Sequence, residues 1–282
     1  MGQSTRLLLL GSVAGPVLVL FAPEALAFDS TAGNPILDRF SFDIGTYYFG
    51  SGTTVTLNGA YGERGLPVDA ERDLGFKDTN RFRLDGYWRI TAHQRLRFMY
   101  FKADRSSTKT LERTIQYGNY TYPLGASISA RNNVSIAALT YQYDFFVRDK
   151  VSLGANIGIH NLDYKLALSG SATGPNGGHN QEASQSGSAN GPLPLIGLGG
   201  IFRVNSKFYF TADLAALKVT VNPYSGSLLD FGGTAVWQPF THFGVGAGYD
   251  FFKLSASVNA HSFNGNLDWR YSGPRVFLSA SF

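Results

Sequence analysis

The sequence predicts an all-β fold: an antiparallel up-and-down β-barrel of about ten strands that crosses a membrane and is preceded by a signal peptide. Three observations carry that expectation. The chain ends Pro274-Arg-Val-Phe-Leu-Ser-Ala-Ser-Phe282, where Val276, Leu278, Ala280 and Phe282 fall on one face and Arg275, Ser279 and Ser281 on the other, the period-two signature of a strand with one apolar side. Only Phe277 departs from it. No stretch after residue 27 is apolar for the ~20 residues a membrane helix needs, yet the chain is 14% aromatic with a mean hydropathy of −0.07. Strands apolar on one side average to neutral, so a barrel of this composition sits in a bilayer. Finally, the alternating segments are joined by connections that are short and long in turn, as in membrane barrels.

Met1 to Ala27 has a basic start at Arg6, an apolar run from Leu7 to Phe21 interrupted by glycines and Pro16, and then Ala25-Leu26-Ala27. This is the layout of a secretory signal peptide, with Ala25 and Ala27 as the small residues of the cleavage site. Residues 28–282 show no linker and no internal repeat, so they form one barrel domain. The chain has no cysteine, which excludes a lipid anchor, a disulfide scaffold and a thiolate metal site. A net charge of +4 is too mild to indicate a nucleic-acid partner.

The first strand begins at Phe40, with Phe42, Ile44, Thr46 and Tyr48 on one face and Ser41, Asp43, Gly45 and Tyr47 on the other. Gly50-Ser51-Gly52 then shifts the apolar phase to Thr53, Val55 and Leu57, which predicts a bulge inside one long strand. Tyr61 to Asn80 is charged and aperiodic and reads as a surface loop. Arg81 to Ile90 resumes alternation, a turn follows at 91–94, and Leu96, Phe98 and Tyr100 return on the apolar face. The connection from Lys102 to Arg131 is long enough for strand extensions around Thr114 to Tyr122. Ala137 to Phe145 descends, Arg148-Asp149-Lys150 turns and Val151 to Ile159 climbs. Ser169 to Gly191 is nearly devoid of apolar residues and reads as a flexible loop that buries no core. Ile196 to Val204, Phe208 to Ala216, Leu229 to Trp237 and Phe243 to Phe251 supply further strands, with turns at Asn205-Ser206, Tyr224-Ser225-Gly226, Pro239 to Thr241 and Asn264-Gly265. Twelve strands result if a long loop hides a hairpin. Tyr47, Tyr48, Tyr100, Tyr141, Tyr143, Trp237, Tyr249, Trp269 and Tyr271 lie near strand ends, where aromatic rings mark the two lipid–water interfaces.

The C-terminal strand resembles that of Gram-negative outer-membrane proteins, where a final Phe after alternating apolar residues is read by the barrel-assembly machinery. The resemblance implies an outer-membrane location, Phe282 as the assembly signal, and that machinery and outer-membrane lipid as partners. An even strand number puts both termini in the periplasm. Val68-Asp-Ala-Glu-Arg-Asp-Leu-Gly75 with Leu84-Asp-Gly-Tyr-Trp-Arg89 is similar to a pattern in uncharacterised barrels of this group and implies no activity.

On this register Asp43, Arg81, Arg83, Asp85, Arg89, Arg95, Arg97, Asp144, Asp213, Asp230, Asp250 and Arg275 face the lumen. Buried charges have to be paired, so these residues are expected to form an ion-pair network that fills the bore. The alternative is a narrow channel for small solutes with an arginine ladder. Two enzyme classes share the membrane. In size and strand number the chain is similar to the omptin surface proteases, which use an acidic pair and an Asp-x-His pair, but none of the five histidines lies in an Asp-x-His. His261-Ser262 resembles the His-x-Ser of lipid A deacylases, but adjacent strand residues point to opposite faces and cannot meet. No two histidines have ligand spacing, and Gly244-x-Gly246-x-Gly248 lies in a strand with no helix to follow it. The expectation is a non-enzymatic, monomeric outer-membrane barrel with a structural or surface-interaction role, no cofactor, no metal and an unidentified extracellular ligand; a hydrolase is the least favoured reading.

Overall fold

A computed structural model describes residues 5–8, 34–58, 65–174, 181–221, 224–260 and 263–282. In chain order the strands are β1 (Thr5–Leu8), β2 (Phe40–Leu57), β3 (Val68–Asp69), β4 (Thr79–Thr91), β5 (Gln94–Thr110), β6 (Ile115–Tyr117), β7 (Tyr120–Tyr122), β8 (Ser127–Val147), β9 (Val151–Ala172), β10 (Gln181–Arg203), β11 (Phe208–Val221), β12 (Tyr224–Trp237), β13 (Phe243–Ala260) and β14 (Phe263–Ser281). Ten of them, β2, β4, β5 and β8 to β14, pair antiparallel with their neighbours in chain order, and β14 closes onto β2. Closure leaves the sheet without a continuous free edge. β3 pairs with β2, β6 with β7, and β1 lies parallel to Gly187–Asn190 of β10. Ala25 and Ala27 lie outside the described residues.

The wall has two storeys of opposite polarity, best seen on β9. From Val151 to Ile159 the exposed positions are Leu153, Ala155, Ile157 and Ile159, while Ser152, Asn156 and His160 turn inward. These are the 9–11 residues a tilted strand needs to cross the hydrocarbon. Beyond His160 the exposed positions are Asn161, Asp163, Lys165 and Ser169, and Leu162, Tyr164, Leu166 and Leu168 are buried. β8 changes over in the same way, from exposed Leu139, Tyr143 and Phe145 to exposed Ser129 and Arg131 with Ile128, Val134 and Ile136 inside. The storey next to the short turns is therefore apolar outside and polar inside. The storey next to the long connections is a water-soluble barrel with a dry core.

That inversion replaces the expected bulge in the first strand. β2 keeps one register against β14 from Leu57↔Gly265 to Ser41↔Ser281, and its odd-numbered residues face inward throughout. The apparent phase shift at Gly50-Ser51-Gly52 is the apolar face changing sides. Register shifts occur instead at Arg89/Thr91 and Tyr143/Phe146. For the same reason Tyr47, Trp269 and Tyr271 are not interface aromatics: they are at most 3% exposed and form the core of the upper storey. Tyr48, Tyr100, Tyr143, Trp237 and Tyr249 are exposed on the outside.

Three further boundaries differ from expectation. Ser169 to Gly191 is largely strand, because β9 and β10 stay paired as far as Ala172↔Gln181; a ladder satisfies its own backbone without needing apolar side chains. Tyr224-Ser225-Gly226 and Asn264-Gly265 lie in strands, and residues 222–223 and 261–262 lie outside the described residues. The charged stretch before Asn80 is not a loop in solvent. Val68, Ala70, Leu74 and Phe76 are buried in the mouth of the upper storey, and Gly75, in the left-handed region at φ 77°, ends the turn between them.

Candidate functional site: the lumen and its two closures

The lower storey encloses a cavity of about 160 Å3. Inward positions of β4, β5, β8, β13 and β14 bring charges into it because the alternation that turns apolar residues to lipid leaves the opposite positions facing inward. At the short-turn end Asp144, wholly buried, accepts bonds from Arg95 Nη2 at 2.9 Å and Gln142 Nε2 at 2.7 Å, and Arg89 Nη1 lies 3.3 Å away. Above it Arg83 grips Asp85 with two bonds of 2.8 and 2.9 Å, and Arg275 Nη1 reaches the same carboxylate at 2.6 Å. Asp250 completes this group, 3.4 Å from Arg83 and 3.1 Å from Arg275. Arg97 pairs with Asp213 through both terminal guanidinium nitrogens, Nη1 and Nη2. Asp230 Oδ2 sits 3.8 Å from His160 Nε2, whose ring stacks on Phe252. Asp43 lines the same cavity. Arg81 does not join them. It is bonded to the carbonyls of Asn80 and Asp104 at the exposed end of β4, where β4 is no longer paired with β5.

The cavity is closed at the short-turn end by the segment that leads into β2, which was not foreseen. Asn34 to Asp38 form a turn, with Leu37 N–H and Asp38 N–H donating to Asn34 O at 2.8 and 2.7 Å. Ile36, 1% exposed, packs against Ile201, Tyr209, Val236 and Phe277, which is why Phe277 breaks the polar alternation of the last strand. Tyr87 and Arg89 donate to Pro35 O at 3.1 and 3.2 Å, and Arg89 also to Asp38 O at 3.2 Å. A cork of so few residues with one buried isoleucine leaves no periodic signal in the sequence.

At the other end the closure is the upper core itself. Tyr271 stacks on Phe252 at 4.9 Å, Trp269 lies 5.2 Å from Tyr271, and Phe49 lies 5.2 Å from Phe101. Two inserted segments seal it from above. Glu71 accepts from Thr53 N–H at 2.7 Å and from Arg105 at 2.9 Å, and the Arg105 guanidinium lies between the rings of Phe49 and Phe76. The β6–β7 hairpin points Tyr117 and Tyr122 inward, their hydroxyls donating to the carbonyls of Leu166 and Leu168. On the rim Asp73 bonds Arg113, Arg72 and the Asp69 N–H. Burial pushes its carboxyl up, but those donors prevail and hold it at about 2.

Among solved structures, the outer membrane protease OmpT from Escherichia coli aligns over 92% of this chain and 99% of its own, at a TM-score of 0.57 and 12% identity. The fold is that of an outer-membrane β-barrel. This barrel also aligns with the transport unit of the autotransporter AIDA-I from Escherichia coli, over 94% of each chain at a TM-score of 0.41 and 9% identity. A further match is the toluene transporter TodX from Pseudomonas putida, over 86% of this chain and 89% of that one at 0.34 and 10%. No family model and no curated protein matches. At 12% identity the likeness to OmpT is one of fold alone. His93 and His242 sit at the short-turn end, bonded to the carbonyls of Asp144 and Ser281, and His160 lies inside. No described histidine stands at the long-connection rim. His179, His261 and Ser262 lie outside the described residues. Among the described residues no group of three His, Asp or Glu is placed to hold a metal ion.

Proposed function

We infer that the protein is a closed, non-enzymatic barrel of the bacterial outer membrane whose work is done by the outer surface of its upper storey. Cleavage after Ala27 and recognition of Phe282 by the assembly machinery belong to the same reading, as do periplasmic termini, a monomeric state and the short turns lying in the periplasm. The observation that carries it is the double closure of the lumen: the Asn34–Asp38 cork below and a dry aromatic core above, with paired Arg83, Asp85, Asp250 and Arg275 between. A channel would need a continuous polar path, and the polar path ends at Tyr271 and Phe252.

Planar-bilayer recordings test this. The unmodified protein is expected to conduct no steady current. Removing residues 34–38 opens only the lower closure and leaves the protein silent, and Arg83→Ala with Arg97→Ala lowers stability without opening the upper core. Steady, anion-preferring currents from the unmodified protein, turned toward cations by the two replacements, would make the arginines a conduction path and the protein a channel.

A further inference from the structure

The glycines of Gly50-Ser51-Gly52 make no bulge, yet they shape the outer wall. The strand registers set Leu229, Lys253, Arg270 and Gly52 in one row across β12, β13, β14 and β2, all at outward positions. A Cβ on Gly52 would lie 2.6 Å from Arg270 Nε, 3.3 Å from its Cγ and 3.4 Å from its Cζ. The arginine is therefore laid across the bare backbone of β2 instead of extending into solvent, and a side chain at residue 52 would lift it off.

Lys253 and Arg270 stand directly opposite each other, and both are exposed. Like charges in that relation destabilise a ladder, and neither residue has an ion pair among the described residues. Two carboxylates stand nearby without pairing to them. Asp268, one rung higher, is exposed and faces Ser255. Asp78 lies beyond Gly50 and accepts from the Tyr48 hydroxyl at 3.5 Å. The height of the row names the kind of anion that would relieve the two cations. Leu229 stands in the row itself, and below it on the same face Phe231, Tyr249 and Val276 are exposed. Lys253 and Arg270 thus border the apolar belt, where lipid headgroups lie.

We propose that Lys253 and Arg270, with Gly52 as the floor, form a site for the phosphate headgroup of an anionic lipid in the leaflet on the long-connection side, its acyl chains lying along Leu229, Phe231 and Tyr249. The seated guanidinium offers its fork to two phosphate oxygens, and Lys253 adds a point charge to the same group. No covalent step is involved. The choice of leaflet rests on the reading that the long connections face the medium.

The whole barrel, purified from membranes in detergent, is mixed with dioleoyl phosphatidic acid, and retained lipid is counted by native mass spectrometry. Phosphatidic acid is expected to bind more tightly than the matching phosphatidylcholine, and inorganic phosphate at the same concentration should not displace it. Lys253→Gln with Arg270→Gln should weaken binding about fivefold for each cation removed. Arg131→Gln with Lys165→Gln, an equal loss of exposed charge higher on β8 and β9, should leave it unchanged. Gly52→Val keeps both charges and should still weaken binding by displacing the arginine, with the heat-dependent gel shift showing that the barrel is folded. An equal loss in the Arg131 and Lys165 variant, displacement by inorganic phosphate, or unaltered binding in Gly52→Val overturns the proposal. Because the chain has no cysteine, Thr110→Cys reports the leaflet separately: a maleimide polymer too large to cross the outer membrane should label it on intact cells. Labelling confined to broken cells overturns the placement of this end and the leaflet with it, whereas absence of the lipid preference in protein labelled on intact cells overturns the site alone.

Discussion

The two storeys of this barrel solve the same problem, filling a narrow tube, with opposite chemistry. Below, five arginines and six aspartates of β2, β4, β5, β8, β11, β12, β13 and β14 turn inward, most of them around a small polar cavity; above, Trp269, Tyr271, Phe252 and Phe101 pack dry. The difference follows from what lies outside the wall. Lipid demands apolar residues on one face, and the alternation hands the other face to polar groups. Where water lies outside, the hydrophobic effect drives the apolar face inward as in any soluble protein. The comparison also assigns different sensitivities: unpaired charge is the hazard below, lost volume the hazard above.

The largest expected effect is at Asp144. Asp144→Ala leaves Arg89 and Arg95 buried without a carboxylate and should cost about 3–5 kcal/mol, read as a lower midpoint of guanidinium unfolding in detergent. Replacing Arg89, Arg95 and Asp144 together with apolar residues of similar volume should recover most of that loss. If the triple variant is no better than the single one, volume rather than charge governs the lower storey and the contrast collapses. Next is Trp269→Ala, expected to cost about 3–4 kcal/mol by opening a void in the upper core, with hydrogen exchange rising first on β6, β7 and residues 68–76. Protection lost first around Asp144 would instead show that the storeys do not unfold separately.

The smallest effect concerns acid. With its carboxyl held at about 2 against about 4 in an unfolded chain, Asp73 stabilises its surroundings above pH 4, and that contribution is lost as pH falls from 4 through 2. Exchange in residues 66–76 should rise over that window, and Asp73→Asn should remove the dependence. A dependence unchanged in the variant would mean that another carboxylate is responsible.

Strand existence and the short turns were legible because lipid imposes a strict period of two on Val151–Ile159 and Val276–Phe282. The charged residues of the lumen were found by the same alternation; Arg81 shares the inward parity and still pairs with Tyr47 of β2, but it lies beyond the last β4–β5 pair and turns to backbone carbonyls instead, and Asp43 lines the cavity without an ion pair among the described residues. The upper storey was misread in three places for one physical reason. There the apolar face changes sides, so Thr53-Val55-Leu57 looked like a bulge, Trp269 and Tyr271 looked like interface anchors, and the segment around Glu71 looked like solvent-exposed loop. The Arg105–Glu71 pair went unseen with it. Periodicity gives spacing but not the sign of the surroundings. The cork at Asn34–Asp38 rests on backbone carbonyls reached from Tyr87 and Arg89, contacts more than fifty positions apart in the chain that no local pattern encodes.

The cork also sets an order of events. Arg39 N–H and Phe40 N–H both donate to the carbonyl of Phe282, at 2.5 and 2.9 Å, and Phe282 N–H returns a bond to Phe40 at 2.9 Å, so the root of the cork is anchored by the final residue of the chain. Until the last strand docks on the first, residues 34–38 lack this anchor at their root and the Phe277 contact, and only the bonds from Tyr87 and Arg89 and the packing of Ile36 on Ile201, Tyr209 and Val236 hold them at the bore. The seal is therefore completed by the same step that finishes the tube, and a barrel caught half-assembled in the membrane, still lacking its last strand, is also one whose cork is loosely seated.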